Sequence, residues 1–269
     1  GTMRGRLDAQ DRLVAAGEYA VPQLLAAYLD GSKPARQAEA QRVLIMLGRQ
    51  SIAPLCTALG QQPATEQEAV ANLLGQIPYR TSLPALVDLN KSSTNDAVKA
   101  ATKRAIDRLA QGATVDDPAA LYYQLADAYY FQKSEVTSFP GEDHQLLWSY
   151  DPRGGLMMQA IATPAFHEAM AMRLSKRALE LRPEYREALA LWIASNFKRE
   201  NETPAGYDNP AYPKTAREAM YFSVASGADV SQMVLARGLD TRDTNLSRRA
   251  LAAVEKTAEI GRTSCRERV

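Results

Sequence analysis

Cysteine and histidine barely occur in this chain. Two of each stand among 269 residues, Cys56 and Cys265, His144 and His167. A disulfide framework is thereby excluded, and a cysteine-based zinc centre has too few ligands. Glycine is scarce at 15 residues and aromatics make up 7%. With alanine and leucine abundant, this favours helix over a many-turned β architecture. No apolar run approaches the roughly 18 to 20 residues of a membrane span. The opening Gly1-Thr2-Met3-Arg4 carries no apolar signal core. Neither sign of charge prevails, with 32 basic against 31 acidic residues. No basic stripe of the kind nucleic-acid binding requires is present, and none of that binding is expected.

What is present is a rhythm. Pro22, Pro54 and Pro84 follow one another at intervals of 32 and 30 residues. Leu13, Leu44, Leu74 and Ile106 keep the same beat, as do Ala16, Leu47, Ile77 and Leu109. A period of this length is the mark of stacked helical hairpins, none of which buries its apolar stripe alone. Within each period the second helix shows i, i+3, i+4, i+7 spacing, as in Val70, Leu73, Leu74 and Ile77. Gly17 and Gly48 stand where a left-handed helix end needs a residue without Cβ. Ser51 and Thr81 follow as candidate caps, each with proline three residues on. The first hairpin begins at its second helix, around Leu7 to Ala16, so the helix before it is expected to be missing.

The run Gly48-Arg49-Gln50-Ser51-Ile52-Ala53-Pro54-Leu55 with its equivalents, and Asp96-Ala97-Val98-Lys99-Ala100-Ala101, resembles HEAT-like repeats over residues 1–112. More narrowly it is similar to the short repeats found in phycobilisome lyase-type proteins. Residues 113–120 read as a linker into a new helix, with Asp117 a cap and Pro118 at its first position. Tyr122, Leu125, Ala126 and Tyr129 then resemble the first helix of a tetratricopeptide (TPR) repeat. Ala171, Ala178 and Pro183 resemble its second helix, displaced by a long insertion at 131–164, and Arg186 to Glu200 resembles the next first helix. The segment 113–212 is therefore expected to be TPR-like, and 213–258 to return to HEAT-like helices. Residues 259–269 closely resemble a translated sequencing adapter and are set aside from the fold.

Candidate chemistry is sparse. His167-Glu168-Ala169-Met170-Ala171 would need a second histidine at its last position to hold zinc, and reads instead as a helix surface. Glu142, Asp143, His144 and Asp151 read as solvated loop polarity, since no calcium-loop spacing is present. Cys56 falls in a buried register, two residues after Pro54, where cysteine behaves as a small hydrophobe. Ser195-Asn196-Phe197-Lys198 fits Ser-x-x-Lys without the motifs that accompany it in enzymes. No Gly-rich phosphate loop and no Gly-x-Ser-x-Gly occur. No catalytic, cofactor or metal residue is therefore assigned.

Aromatic residues gather at 122–150, and Tyr123, Tyr130, Trp148 and Tyr150 are the candidate partner-binding residues, since Tyr and Trp join large contact area to a polar tip. Folding of the insertion over these rings as a satellite core is the competing expectation. Residues 113–212 hold 9 basic and 14 acidic residues, a balance that reads first as a solvated face, with a basic partner as the alternative. The sequence thus predicts an all-α chain, a right-handed solenoid of HEAT-like hairpins followed by TPR-like helices. Its expected function is that of a non-catalytic scaffold binding a protein or peptide. The lyase-type resemblance implies an alternative, an enzyme subunit handling a bilin chromophore, and a spacer within a larger protein is a third.

Overall fold

Glycine and proline set the helix boundaries in the first hundred residues. In the computed structural model, which describes the backbone of residues 3–266 and the side chains of 4–259 other than Arg6, α1 (Met3–Ala16) stops at Gly17, whose φ of 62° few other residues adopt. A 3-10 turn leads into α2 (Val21–Leu29), with Pro22 in its first turn, and α3 (Pro34–Leu47) opens on a proline. Gly48, at φ 57°, separates α3 from α4 (Arg49–Leu59). After α5 (Ala64–Leu74) come α6 (Leu83–Ser92) and α7 (Asp96–Ala110), the last capped by Asn95, which accepts from the N–H groups of Ala97 and Val98.

Ser51 is not the cap its position suggested. The helix starts two residues earlier, and the Ser51 hydroxyl donates back to the carbonyls of Leu44 at 3.0 Å and Gly48 at 2.8 Å. Pro54 consequently lies inside α4 rather than in its first turn. Thr81 likewise sits in a 3-10 turn, Arg80–Ser82, ahead of α6.

The chain divides into two compact units. One comprises residues 1–118, 135–140 and 146–160, the other residues 119–134, 141–145 and 161–269. In the first, α2 packs on α3, α4 on α5, and α6 on α7, three pairs successive in sequence, and α5 also packs on α7. The leading helices of successive pairs also touch, α2 on α4 and α4 on α6. Leu44 and Leu74 are fully buried in one core, and Leu13 and Ile106 pack against it half-buried, from α1 and α7. Cys56 is half-buried beside the same core, and desolvation pushes its thiol up to about 12, far from a reactive thiolate.

The insertion departs from the all-α expectation. His144–Asp151 (β1) and Gly155–Ala162 (β2) pair as a two-stranded sheet. The turn forms because Asp151 Oδ1 accepts from the N–H groups of Arg153 and Gly154, and Gly155 takes a φ of 73°. Leu146, Trp148 and Leu156 join the core of the first unit.

The second unit is built on α8 (Pro118–Tyr130), α9 (Thr163–Leu181), α10 (Arg186–Glu202), α11 (Ala219–Ala225), α12 (Ala228–Asp240) and α13 (Thr244–Arg266). The α9–α10 and α12–α13 pairs are its main packings, with Leu191, Ile193, Phe197, Val234 and Leu246 buried. The suspected adapter-derived segment continues α13 to Arg266, and residues 267–269 lie outside the described residues.

Two glycines permit close helix contact, one in each unit. A methyl at Gly75 would stand 2.8 Å from Ala105 Cβ on α7, and one at Gly238 would stand 2.7 Å from Ser247 Oγ on α13. Gly75→Ala and Gly238→Ala are each expected to lower stability by about 1–3 kcal/mol in urea titrations. Gly60, whose added Cβ would meet nothing within 4 Å, is the control. Gly60→Ala is expected to be neutral or slightly stabilising.

Candidate functional site

The four aromatic candidates fall into different environments. Trp148 is 3% exposed, and its indole N–H donates to Glu18 Oε2 at 3.2 Å. It is a core residue of the first unit and offers no surface to a partner. Tyr150 is half-buried against the same core. Tyr130 is buried in the second unit, with Lys198 Nζ 5.1 Å and the Arg237 guanidinium 5.0 Å from its ring centre. Desolvation pushes its phenol up to about 12. Tyr123 lines an open cleft.

That cleft, of about 440 Å3, is formed by α8, α10 and α12 of the second unit. Tyr123, Asp127 and Phe131 recur every fourth residue, so α8 and the residue after it present all three along one stripe. Arg237, from α12, organises them. Its Nη1 pairs with Asp127 Oδ1 at 2.7 Å and its Nη2 donates to the Tyr123 hydroxyl at 3.3 Å. Its guanidinium carbon also lies 5.8 Å from the Phe131 ring centre. Phe131 is nevertheless 48% exposed. Glu187 and Asp240 stand exposed on the lining, so once Asp127 is neutralised by Arg237 two carboxylates remain uncompensated within it.

The second unit also holds a set of buried polar groups. Glu168 on α9 is wholly buried with Lys198 Nζ 3.4 Å away, an ion-pair distance without well-directed hydrogen bonding to either carboxylate oxygen. Desolvation outweighs the lysine and raises the carboxyl to about 7. His167, read from sequence as a helix-surface residue, is instead buried against Tyr129 and Phe166, and its Nδ1 has no partner. Burial, aided by Lys198, lowers it to about 4 and keeps the imidazole neutral. The Ser-x-x-Lys tetrad is taken apart by the same contacts. Ser195 donates to the Leu191 carbonyl, while Lys198 is engaged by Glu168 and Glu202.

The acidic loop residues are held through their main chain. Thr163 donates from Oγ1 to the Glu142 carbonyl and from its N–H to that of Asp143. Among the described residues, no three His, Cys, Asp or Glu side chains converge as metal ligands, and no helix is long and apolar enough to cross a membrane. Sequence reasoning missed Asp127, Phe131 and Arg237 as a set. The four-residue spacing on α8 could have revealed the first two, whereas Arg237 lies 110 residues from Asp127. No family model matches the chain, and neither a curated protein nor a solved structure resembles it closely enough to be matched.

Proposed function

We propose that the chain is a non-catalytic scaffold of solenoid type, HEAT-like hairpins followed by TPR-like helices, that binds an extended basic peptide segment in the cleft of its second unit. The supporting observation is the Arg237-centred floor. It fixes Tyr123 and leaves Phe131 exposed beside the two uncompensated carboxylates Glu187 and Asp240. An apolar side chain of the partner packs on Phe131 and Met233, while a neighbouring lysine or arginine faces the carboxylates. Such a pattern gives an aromatic anchor with a charged rim, where affinity and orientation are separately supplied.

Fluorescence anisotropy with labelled nine-residue peptides, each a leucine or phenylalanine flanked by two arginines, tests this reading. Saturable binding that weakens with salt is expected, together with about tenfold loss, near 1.4 kcal/mol, in a Glu187→Lys/Asp240→Lys double variant. Acidic peptides of the same length should not bind. Equal binding of both peptide classes, or none of either, would overturn the proposal.

A further inference from the structure

The β1–β2 hairpin turns one strand inward and the other outward. In β1 the residues Gln145 to Trp148 are buried, whereas in β2 Met157, Met158, Gln159 and Ala160 are all exposed, Met157 by 50% and Met158 by 42%. Among the described residues the sheet has no third strand, so β2 is paired on the β1 side alone.

Two hydrogen bonds fix which main-chain groups face its other edge. Just beyond the strands the Thr163 N–H donates to the Asp143 carbonyl at 2.8 Å, which makes 143 and 163 a bonded pair. The strand ends, 144 with 162 and 151 with 155, keep the same register. Bonded and non-bonded pairs alternate along an antiparallel ladder. Residues 155, 157, 159 and 161 therefore turn their N–H and C=O groups to β1, while Leu156, Met158, Ala160 and Ala162 turn theirs away. The Ala162 N–H bears this out by donating to the Tyr207 hydroxyl at 2.8 Å instead of to β1. Among the described residues nothing outside the hairpin bonds the main chain of Leu156, Met158 or Ala160.

Natural edge strands are guarded by lysine, by proline or by a bulge. Gly155-Leu156-Met157-Met158-Gln159-Ala160-Ile161-Ala162 holds no charge and no proline, and its even register with β1 leaves no extra residue for a bulge. An uncharged edge has nothing with which to select an acidic or a basic segment. It does complement itself. Turned antiparallel about Met158, the three open residues meet their counterparts: Met158 faces Met158 of the partner subunit, and Leu156 faces Ala160 of the partner subunit. Each pair exchanges two main-chain bonds. On the opposite face of the sheet Met157 lies across from Gln159 of the partner subunit, so no like charges are opposed.

We propose that two copies of this chain associate through β2, joining their hairpins into one antiparallel sheet of strand order β1-β2-β2-β1. The buried β1 stands at both outer edges of that sheet, so association closes at the dimer instead of growing into fibres. A contact centred on one strand falls below the roughly 1,200 Å2 of standard interfaces, so the dimer is weak and depends on concentration.

Sedimentation velocity of the full chain, from about 5 to about 500 μM, is expected to show a reversible monomer–dimer equilibrium. In the unaltered chain, amide hydrogen exchange at Met158 and Ala160 should slow as concentration rises, while Met157 and Gln159, already bonded to β1, change little. Met158→Pro removes an outward N–H and leaves the β1 bonds of 157 and 159 in place, so dimerisation should weaken at least tenfold. Met158→Lys should do the same by setting like charges on the two-fold axis. Mixing it with Met158→Glu should restore association as a mixed dimer. A monomer at every concentration, which would leave the edge to a foreign strand, overturns the proposal. So does a dimer indifferent to Met158→Pro, or a lysine–glutamate mixture that fails to associate. The exchange measurement needs no variant, and Met158 and Ala160 amides that exchange at one rate throughout the range would refute the pairing even if Met158→Pro does not fold.

Discussion

Leu74→Asp is expected to lower the melting temperature of the first unit by about 10 °C or more, reflecting a cost of roughly 4 kcal/mol. Leu74 is fully buried on α5, within a core that also holds Leu44, Leu86 and Val98. A carboxylate there has no partner and no water, so the chain must either ionise it at high cost or protonate it and lose the packing. The truncation Leu74→Ala, which only opens a cavity, should cost about 2–5 kcal/mol by the usual large-to-small range. Ile106 shares the same sequence row but is half-buried. Ile106→Asp should therefore be milder, because its carboxylate can reach solvent. Thermal melts followed by circular dichroism rank the three. A Leu74→Asp protein that melts with the unaltered one would refute the assignment of this row to a common interior.

The second large effect is pH dependence centred on Glu18. This carboxylate is buried in the first unit and accepts at Oε2 from the Trp148 indole N–H and the Ser138 hydroxyl, each at 3.2 Å. Desolvation outweighs both donors and raises its pKa from 4.5 to about 7. Between those values the folded unit holds a proton that the unfolded chain has released. Stability therefore declines as pH rises from about 4.5 to about 7 and levels off above. The total loss is about 3 kcal/mol, because each tenfold difference in proton affinity between the folded and unfolded chain is worth about 1.36 kcal/mol. Glu18→Gln, which keeps an acceptor for Trp148 without a titrating charge, should flatten that slope.

The second unit should respond less. Glu168, raised from 4.5 to about 7, loses stabilisation over the same window. His167 acts in the opposite sense. Its pKa is lowered from 6.5 to about 4, so its contribution is present above 6.5 and is lost as pH falls through 4. The two largely offset between 4.5 and 6.5. Tryptophan fluorescence separates the units, because the chain's two tryptophans are divided between them, Trp148 in the first and Trp192 in the second. Urea titrations of Trp192→Phe from pH 4.5 to 8 would read the first unit alone. A transition independent of pH in that variant would contradict the buried-carboxylate argument.

Much of the first unit was legible because its information is local and repeated. An apolar stripe every 3.6 residues and a glycine at two of the helix ends favour helices whatever their neighbours do, and Gly17 and Gly48 do take positive φ, although α7 ends on Gln111 in the same region. The strands were less legible. In β1 four consecutive residues, Gln145 to Trp148, are buried, which erases the alternation that reveals a half-exposed strand. The Gly154-Gly155 turn between two apolar runs was the available hairpin signal. The site was hardest, since its decisive contacts are long-range. Glu18 meets Trp148 across 130 residues, and Arg237 meets Asp127 across 110. No local pattern encodes such partners, and His167 was misplaced for the same reason: besides its neighbour Phe166, its environment comes from Tyr129 on α8 and Lys198 on α10.

The interleaved membership of the two units has a practical corollary for dissecting the molecule. Residues 135–140 and 146–160 belong with the first unit although 119–134 and 141–145 belong with the second. No single scission of the polypeptide therefore frees one unit whole. A fragment ending at Pro118 would omit Trp148 and Ser138, stranding the Glu18 carboxylate in an apolar seat with neither donor. Faithful isolation of the first unit means carrying residues through Ala160 and replacing the two stretches that belong elsewhere with short polar bridges.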